Sequence, residues 1–262
     1  MTSLKTLQQD WEKFAQLDPL WSICADPRKR EGRWQEEDFF ESGRREIATV
    51  LQRLKAIGHF PVTEGPALDF GCGVGRLTRA LAEYFTECWG VDIAPTMIEK
   101  ARAYHQQEPR CRFQLNEGDL SAFPDQYFSF IYSSIVLQHI DTKYVRRYLA
   151  EFGRVLKPGG LLVFQMADVL QGGPWFRLRS KIALRTRIRW LLSGKGPGIE
   201  RRMAMHCVPE KRVRGMLAGN LRVVDVRLTN STEPAFNGDL RYLDQEPHEG
   251  IVSKQYTVIR SA

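Results

Sequence analysis

The chain has no run of about 18 apolar residues, so no segment of it reads as a membrane-spanning helix. Its opening stretch, MTSLKTLQQDWEKF, lacks the apolar core of a secretory signal, and a cytoplasmic setting is expected. Cysteine is sparse: Cys24, Cys72, Cys88, Cys111 and Cys207 form no CxxC pair and no regular spacing. That odd, scattered set excludes a disulfide framework and a cysteine zinc site, and points to reduced thiols. The five histidines make no HExxH or HxxxH pairing, so no metal site is expected. Internal repeats and low-complexity tracts are missing too.

What is there is an ordinary globular composition, 43% hydrophobic and 26% charged over 262 residues. This suits one large domain, or one domain with an appendage. The net charge of +7 admits an anionic partner, or simply a basic surface.

Leu4, Leu7, Trp11 and Phe14 recur at helical spacing, and the Asp18-Pro19 pair ends that helix. WSICADPRKREGRW has turn residues and no period. Phe39, Phe40, Ile47, Val50, Leu51, Leu54 and Ile57 then outline a long amphipathic helix, closed by the Gly- and Pro-rich GHFPVTEGP at 58–66. This boundary divides the chain into an N-terminal helical cap, 1–58, and a core, 59–262.

Beyond it, short and nearly uniformly apolar strands alternate with helices. ALDF, CWGVDI, CRFQLNEG, YFSFIYSSIV and LLVFQMAD read as strands. GRLTRALAEYF, PTMIEKARAYHQQ and DTKYVRRYLAEFGRVL read as helices, the last with Asp141 as N-cap, and KPGG reads as a tight turn. An insertion at 168–207 follows, then a helix at PEKRVRGMLA and two strands, LRVVDVRL and KQYTVIR. The pattern predicts an α/β, doubly wound, mostly parallel Rossmann-like sheet covered on both faces.

DFGCGVGRLTRAL places Gly71, Gly73 and Gly75 directly after the first strand, which ends at Asp69. Glycine there lets backbone approach a ligand at the positive end of the next helix. The second strand ends at Asp92, 17 residues after Gly75, where a carboxylate can accept both hydroxyls of a ribose. Two pieces of one nucleoside are thereby accounted for. A nicotinamide fingerprint asks for G-x-G-x-x-G, and this turn reads G-C-G-V-G-R.

The run 66–166 closely resembles the class I S-adenosylmethionine-dependent methyltransferases of the small-molecule and natural-product type. LDFGCGVGRLT is similar to their first motif, GVDIAPTMIEKA to the second, EGDLSAFP to the third, SFIYSSIVLQHI to the fourth, and RVLKPGGLLVF to the lead into strand five. The resemblance implies a seven-stranded sheet whose last strand is antiparallel, and S-adenosylmethionine as cofactor. It implies Gly71, Cys72 and Gly73 against the methionine part, and Asp69 at its amino group. Asp92 would take the ribose with Ile93 on the adenine, Asp119 and Leu120 would meet the adenine amine, and Ser134 would stand near the methionine amine. The N-terminal helices would lid the site, with Trp34, Phe39 and Phe40 facing an acceptor pocket and Arg44 reaching the cofactor carboxylate. His139, after the fourth strand, would supply a general base, and Asp168, after the fifth, would orient the imidazole or act as the base itself.

The chain lacks the Asn/Asp-Pro-Pro-aromatic signature of DNA amino-methyltransferases, the paired glutamates of protein arginine methyltransferases, and a marked metal-binding carboxylate set. Methyl transfer to oxygen or nitrogen of a small acceptor, a natural product or sugar, is therefore expected. The segment FRLRSKIALRTRIRW, 176–190, sets Arg or Lys at 177, 179, 181, 185, 187 and 189. Its alternation has the period of a strand, its residues are helix formers, and a helix is expected. As a basic lid it would suit an anionic substrate, a carrier protein or a membrane surface. The competing class is a non-catalytic cofactor binder, or a protein that binds RNA through this segment, although nothing else in the sequence favours nucleic acid. Oligomeric state is not encoded in any of these motifs.

Overall fold

A computed structural model describes residues 3–173, 205–217, 219–233 and 235–261. The basic segment 176–190 lies outside the described residues. The first helix, α1 (Leu4–Leu17), is capped by Ser3, whose side chain accepts from Thr6 N–H. Asp18 ends it and, through its carboxylate, caps the next helix, α2 (Pro19–Ile23). α3 (Glu36–Ala56) carries Glu36, Glu37 and Asp38 in its first turn and Arg53 and Lys55 in its last, the charge order a helix dipole favours.

From residue 66 the strands β1 (Pro66–Phe70), β2 (Glu87–Asp92), β3 (Cys111–Leu115), β4 (Phe128–Ser133) and β5 (Leu156–Gln171) alternate with α4 (Arg76–Leu81), α5 (Pro95–Tyr104) and α6 (Thr142–Val155). Asp141 caps α6 by accepting from Lys143 N–H. A short α7 (Glu210–Arg214) precedes β6 (Leu221–Thr229), β7 (Tyr242–Leu243) and β8 (Gly250–Arg260). The sheet order is β3-β2-β1-β4-β5-β8-β6-β7. β1 to β5 run parallel, β8 is antiparallel to β5 and β6, and β7 is antiparallel to β6.

Among the described residues the sheet thus has eight strands where seven were expected. The additional one is the two-residue β7, formed where the connection between β6 and β8 folds back on the sheet edge and pairs Leu228 with Leu243. KPGG is taken up within β5: β4 pairs with Leu156 and then with Leu161, so residues 157–160 bulge out, with Gly159 at φ +74°.

Because side chains alternate along each strand, Leu68, Phe70, Ile131, Leu162 and Phe164 face one side, against Tyr148, Leu149 and Phe152 of α6. Ala67, Phe130, Tyr132, Leu161 and Val163 face the other, against Ile47, Val50, Leu51 and Leu54 of α3 and Leu77 and Leu81 of α4. α3 is therefore part of the sheet's cover, continuous with the core that follows 58–66. α1, α2 and the turn after them stand beyond the sheet, at the carboxyl ends of the strands, and meet the start of α3 in a third cluster that includes Trp21, Trp34, Phe39, Phe40, Val74 and Met97.

Candidate functional site

β1 lies between β2 and β4, so successive connections leave its two sides on opposite faces and open a crevice at the strands' carboxyl ends. Register sets what meets there. Phe70 pairs with Val91 and Asp92 with Leu115, so the residues leaving β1, β2 and β3 emerge at one level. The crevice encloses about 770 Å³ of space, counting the open solvent at its mouth.

Its floor is the turn after β1. Gly71 has φ +80° and Gly73 φ +53°, conformations that side chains disfavour. A Cβ on Gly71 would stand 2.3 Å from Val136, and one on Gly73 2.4 Å from Ile23. Gly75, at φ +87°, is the N-cap of α4, and a Cβ there would strike His105. The first two glycines keep the floor of the cavity clear, and the third seats a helix.

Asp92 forms the adjoining wall. One carboxylate oxygen accepts the Gly73 N–H at 2.9 Å and the other the Ala94 N–H at 2.9 Å. Burial raises its pKa above the ordinary carboxylate value, against the pull of these hydrogen bonds. Each oxygen keeps a second lone pair, so the group can still accept two hydroxyls. Ile93, Met97, Val136 and Ile140 supply apolar wall, and Asn116, Ser134, Tyr148 and His139 the polar points.

The roof is α1 and α2, through Leu4, Leu7, Trp11, Ser22 and Ile23. α5 has Ala94 at its N-cap and so no side-chain cap of its own, and Glu12 of α1 supplies one by accepting from Thr96 N–H at 3.1 Å and from its hydroxyl. Gln8 donates to the Ile93 carbonyl at 3.0 Å. Trp11 meets the His139 ring edge-on at 5.5 Å.

Residues 68–164 match the family model described as a methyltransferase domain. Over this segment the chain is thus similar to methyltransferase domains. The chain is 37% identical to the demethylmenaquinone methyltransferase of Tropheryma whipplei over 103 residues, 39% of this chain and 42% of that protein. It is 33% identical to the trans-aconitate 2-methyltransferase of Deinococcus radiodurans over 137 residues, 51% of this chain and 49% of that protein. It thus spans about half or less of these curated relatives. In fold, it is similar to the magnesium protoporphyrin IX methyltransferase of Synechocystis with bound SAH, at TM-score 0.62 and 16% identity, over 99% of this chain and 100% of that one. It is also similar to the N-methyltransferase NodS of Bradyrhizobium japonicum in complex with S-adenosylhomocysteine, at TM-score 0.58 and 20% identity, over 97% and 98%.

Of the residues expected from sequence, the fold brings Gly71, Gly73, Asp92, Ile93, Ser134 and His139 together on the one cavity. Asp119 and Leu120 line an adjoining cleft that shares Val91 and Asn116 with it. The Asp119 carboxylate is engaged by Ser121 and, at 2.9 Å, by Arg147. Four others lie elsewhere. Asp69 alternates with the core-facing Leu68 and Phe70, so it points to α4, where Thr78 donates to it at 2.7 Å. Cys72 is buried beside Ile98, Ala101 and Phe113, and burial pushes its thiol well above the usual range. Arg44 is held on the outer face of α3 by Glu41 and Glu83. Asp168 pairs with Lys254 at 2.6 Å and accepts the Glu210 N–H at 2.8 Å, so it is not the partner of His139.

Trp34, Phe39 and Phe40 also stay out of the cavity. All three are buried in the cluster between α2, α3 and the Gly-rich turn, with the Trp34 indole N–H donating to the Cys24 carbonyl. The residues that do roof the cavity belong to the Leu4–Leu7–Trp11 stripe. Asn116, the first residue beyond β3, is a wall residue that sequence reasoning passed over for Asp119, one turn further on. Its position at a strand's carboxyl end was the available signal. Among the described residues there is no cluster of His, Cys, Asp and Glu fit to hold a metal, and no helix long and apolar enough to cross a membrane.

Proposed function

We propose that this protein transfers the methyl group of S-adenosylmethionine to oxygen or nitrogen of a small-molecule acceptor. The observation that carries the reading is the junction of the glycine floor with Asp92: a backbone cradle a Cβ would fill, next to a carboxylate with two lone pairs to spare. These features suit the two ends of the cofactor. Gly71, Gly73 and Ser134 would hold its methionine part, Asp92 its ribose hydroxyls, and Ile93 and Met97 one face of its adenine. Asn116 would meet the adenine edge, with Asp119 and Leu120 across the shared wall.

The sulfonium, when bound, brings an already activated methyl group. The protein's share of the chemistry is then to fix the reacting atoms in line and to keep water away. α1 and α2 are suited to the second task, since they close the cavity with Leu4, Leu7, Trp11 and Ile23.

The test is titration of S-adenosylmethionine and S-adenosylhomocysteine by calorimetry, followed by transfer of labelled methyl to a panel of small hydroxy and amino compounds. Binding with transfer to any member supports the reading. Binding without transfer to the panel, together with salt-dependent retention of RNA, would favour the non-catalytic reading in which the basic segment 176–190 binds nucleic acid.

A further inference from the structure

Beside the glycine turn, outside the cavity lining, lies a buried histidine. His105 follows the last residue of α5 and is 4% exposed. Its ring stacks on Phe113 of β3 at 5.3 Å and meets Phe40 of α3 edge-on at 5.2 Å. β3 and α3 thus clamp the imidazole in one orientation, which sets Nε2 3.1 Å from the Val74 carbonyl, in the middle of the turn after β1. A carbonyl only accepts, so Nε2 carries the proton and donates. Nδ1 is buried with no hydrogen-bond partner among the described residues. Burial holds the ring's pKa below the ordinary histidine value, and the neutral form is the one that fits.

What the bond holds is a peptide that could otherwise turn over. Val74 stands between Gly73, at φ +53°, and Gly75, at φ +87°. Glycine takes φ of either sign at little cost, so the peptide between Val74 and Gly75 has little intrinsic preference for this orientation. Two contacts select it. The Val74 side chain is sealed in the cluster with Trp34, Phe39, Phe40 and Met97, and its carbonyl takes the His105 proton. Among the described residues that is the carbonyl's one hydrogen bond. Gly75 lets the ring come this close, since a Cβ there would stand 2.6 Å from Nε2. The same peptide separates Gly73, whose N–H donates to Asp92, from the first turn of α4.

We infer that His105 is a positioning residue for the cofactor. Its Nε2–H fixes the Val74 carbonyl, and through that peptide it keeps Gly73 in the conformation that clears the cavity floor. Its role rests on the cavity being the S-adenosylmethionine site, and His105 reaches that site only through the turn.

The experiment compares His105→Gln and His105→Met in the full chain, by calorimetric titration with S-adenosylhomocysteine and by urea unfolding. The two side chains have similar length and volume, and both give up the ring stack. Only glutamine keeps an N–H where Nε2 stood. Glutamine also buries an oxygen without a donor, so the Met variant should be the more stable of the two. Affinity should run the other way. The Met variant leaves the Val74 carbonyl buried and unpaired, and its affinity should fall roughly tenfold below that of the Gln variant. A merely structural role would make affinity follow stability. Should either variant not fold, His105→Phe keeps a ring between Phe113 and Phe40 without the donor, and should bind about tenfold more weakly than the unaltered protein. Equal affinities in folded Gln and Met variants, tighter binding by the Met variant, or full affinity in the Phe variant would overturn the assignment of His105 alone. No binding by the unaltered protein would remove the cofactor site, and the role of His105 with it.

Discussion

Asp92 and Gly73 are joined at 2.9 Å by a hydrogen bond from backbone to carboxylate, so the end of β2 holds the turn that follows β1. The same carboxylate is therefore a wall of the cavity and a brace for its floor. Replacing Asp92 by Ala removes both. Losing charge-assisted hydrogen bonds of this kind costs about 1.5–3 kcal/mol. Affinity for S-adenosylhomocysteine should fall by roughly tenfold to a hundredfold. Asp92→Asn keeps one acceptor and should fall in between. Calorimetric titration of both variants checks this, and unchanged affinity in the Ala variant would remove Asp92 from the nucleoside site.

The two floor glycines should respond differently to Ala. Both have positive φ, a cost of about 1–2 kcal/mol for any L side chain. At Gly71 the new methyl meets the branched Val136 at 2.3 Å, close to its backbone, whereas at Gly73 it meets the tip of Ile23 in the roof. Gly73→Ala should weaken cofactor binding, and Ile23→Ala added to it should recover the steric part of the loss. Gly71→Ala should gain nothing from Ile23→Ala. Affinities of the single and double variants give the comparison.

Much of this arrangement was legible before any coordinates, and the illegible parts share a cause. Strands of an inner parallel sheet are apolar on both faces, so β1 to β5 announce themselves, and the three closely spaced glycines mark the turn between β1 and α4 at the cavity floor. Asp92 is legible because a carboxylate ending an apolar strand has no place in the core. Which way Asp69 points is a different matter. It depends on the alternation set by Leu68 and Phe70, both packed against α6, which leaves Asp69 to Thr78. Trp34, Phe39 and Phe40 would look the same in a core or around an acceptor, since apolar spacing records burial and not what does the burying. Asp168 was paired with His139 because their strands are neighbours. Its actual partner, Lys254, is 86 residues away on β8, beyond the reach of any local pattern.

Asp69 makes stability pH-dependent in an unusual sense. Burial pushes its pKa up to about 7, more than the hydrogen bond from Thr78 pulls it down. An unfolded aspartate releases its proton near 3.9, so between about pH 4 and 7 the folded state holds a proton the unfolded state has lost. Stability contributed by this group is present below about pH 4 and declines as pH rises toward 7. The slope is at most about 1.4 kcal/mol per pH unit. Urea unfolding across that range should show the decline, and Asp69→Asn should flatten it. An equal slope in the variant would assign the dependence to other groups.

Arg76 and Glu46 meet at 2.6 Å with both side chains essentially sealed from water, and Tyr132 donates to the same carboxylate at 2.8 Å. This pair joins α3 to α4 behind the glycine turn. Removing one partner leaves a buried charge alone, which costs about 3–5 kcal/mol. Glu46→Leu should therefore lower the urea midpoint strongly, and Arg76→Met should do the same. The double variant should be more stable than the sum of the two losses implies, since no lone charge remains. Additive losses in the double-mutant cycle would show that the two groups act separately.

Asp168 and His139 separate two accounts of the chemistry. If Asp168 oriented a histidine base, Asp168→Asn would lower turnover sharply and shift its pH profile. The structure gives the carboxylate other work. It is paired with Lys254 on β8 and accepts the first backbone N–H of α7, so it ties the returning chain to β5. Asparagine keeps an oxygen for the Glu210 N–H but surrenders the charge opposite Lys254. That should cost about 1–3 kcal/mol of stability. The turnover number and its pH dependence, measured well below the melting temperature, should stay as in the unaltered protein. A loss of turnover of a hundredfold or more in a folded Asp168→Asn protein would return Asp168 to the reaction. An unaltered profile beside a lowered unfolding midpoint would leave it as a clamp between β5, α7 and β8.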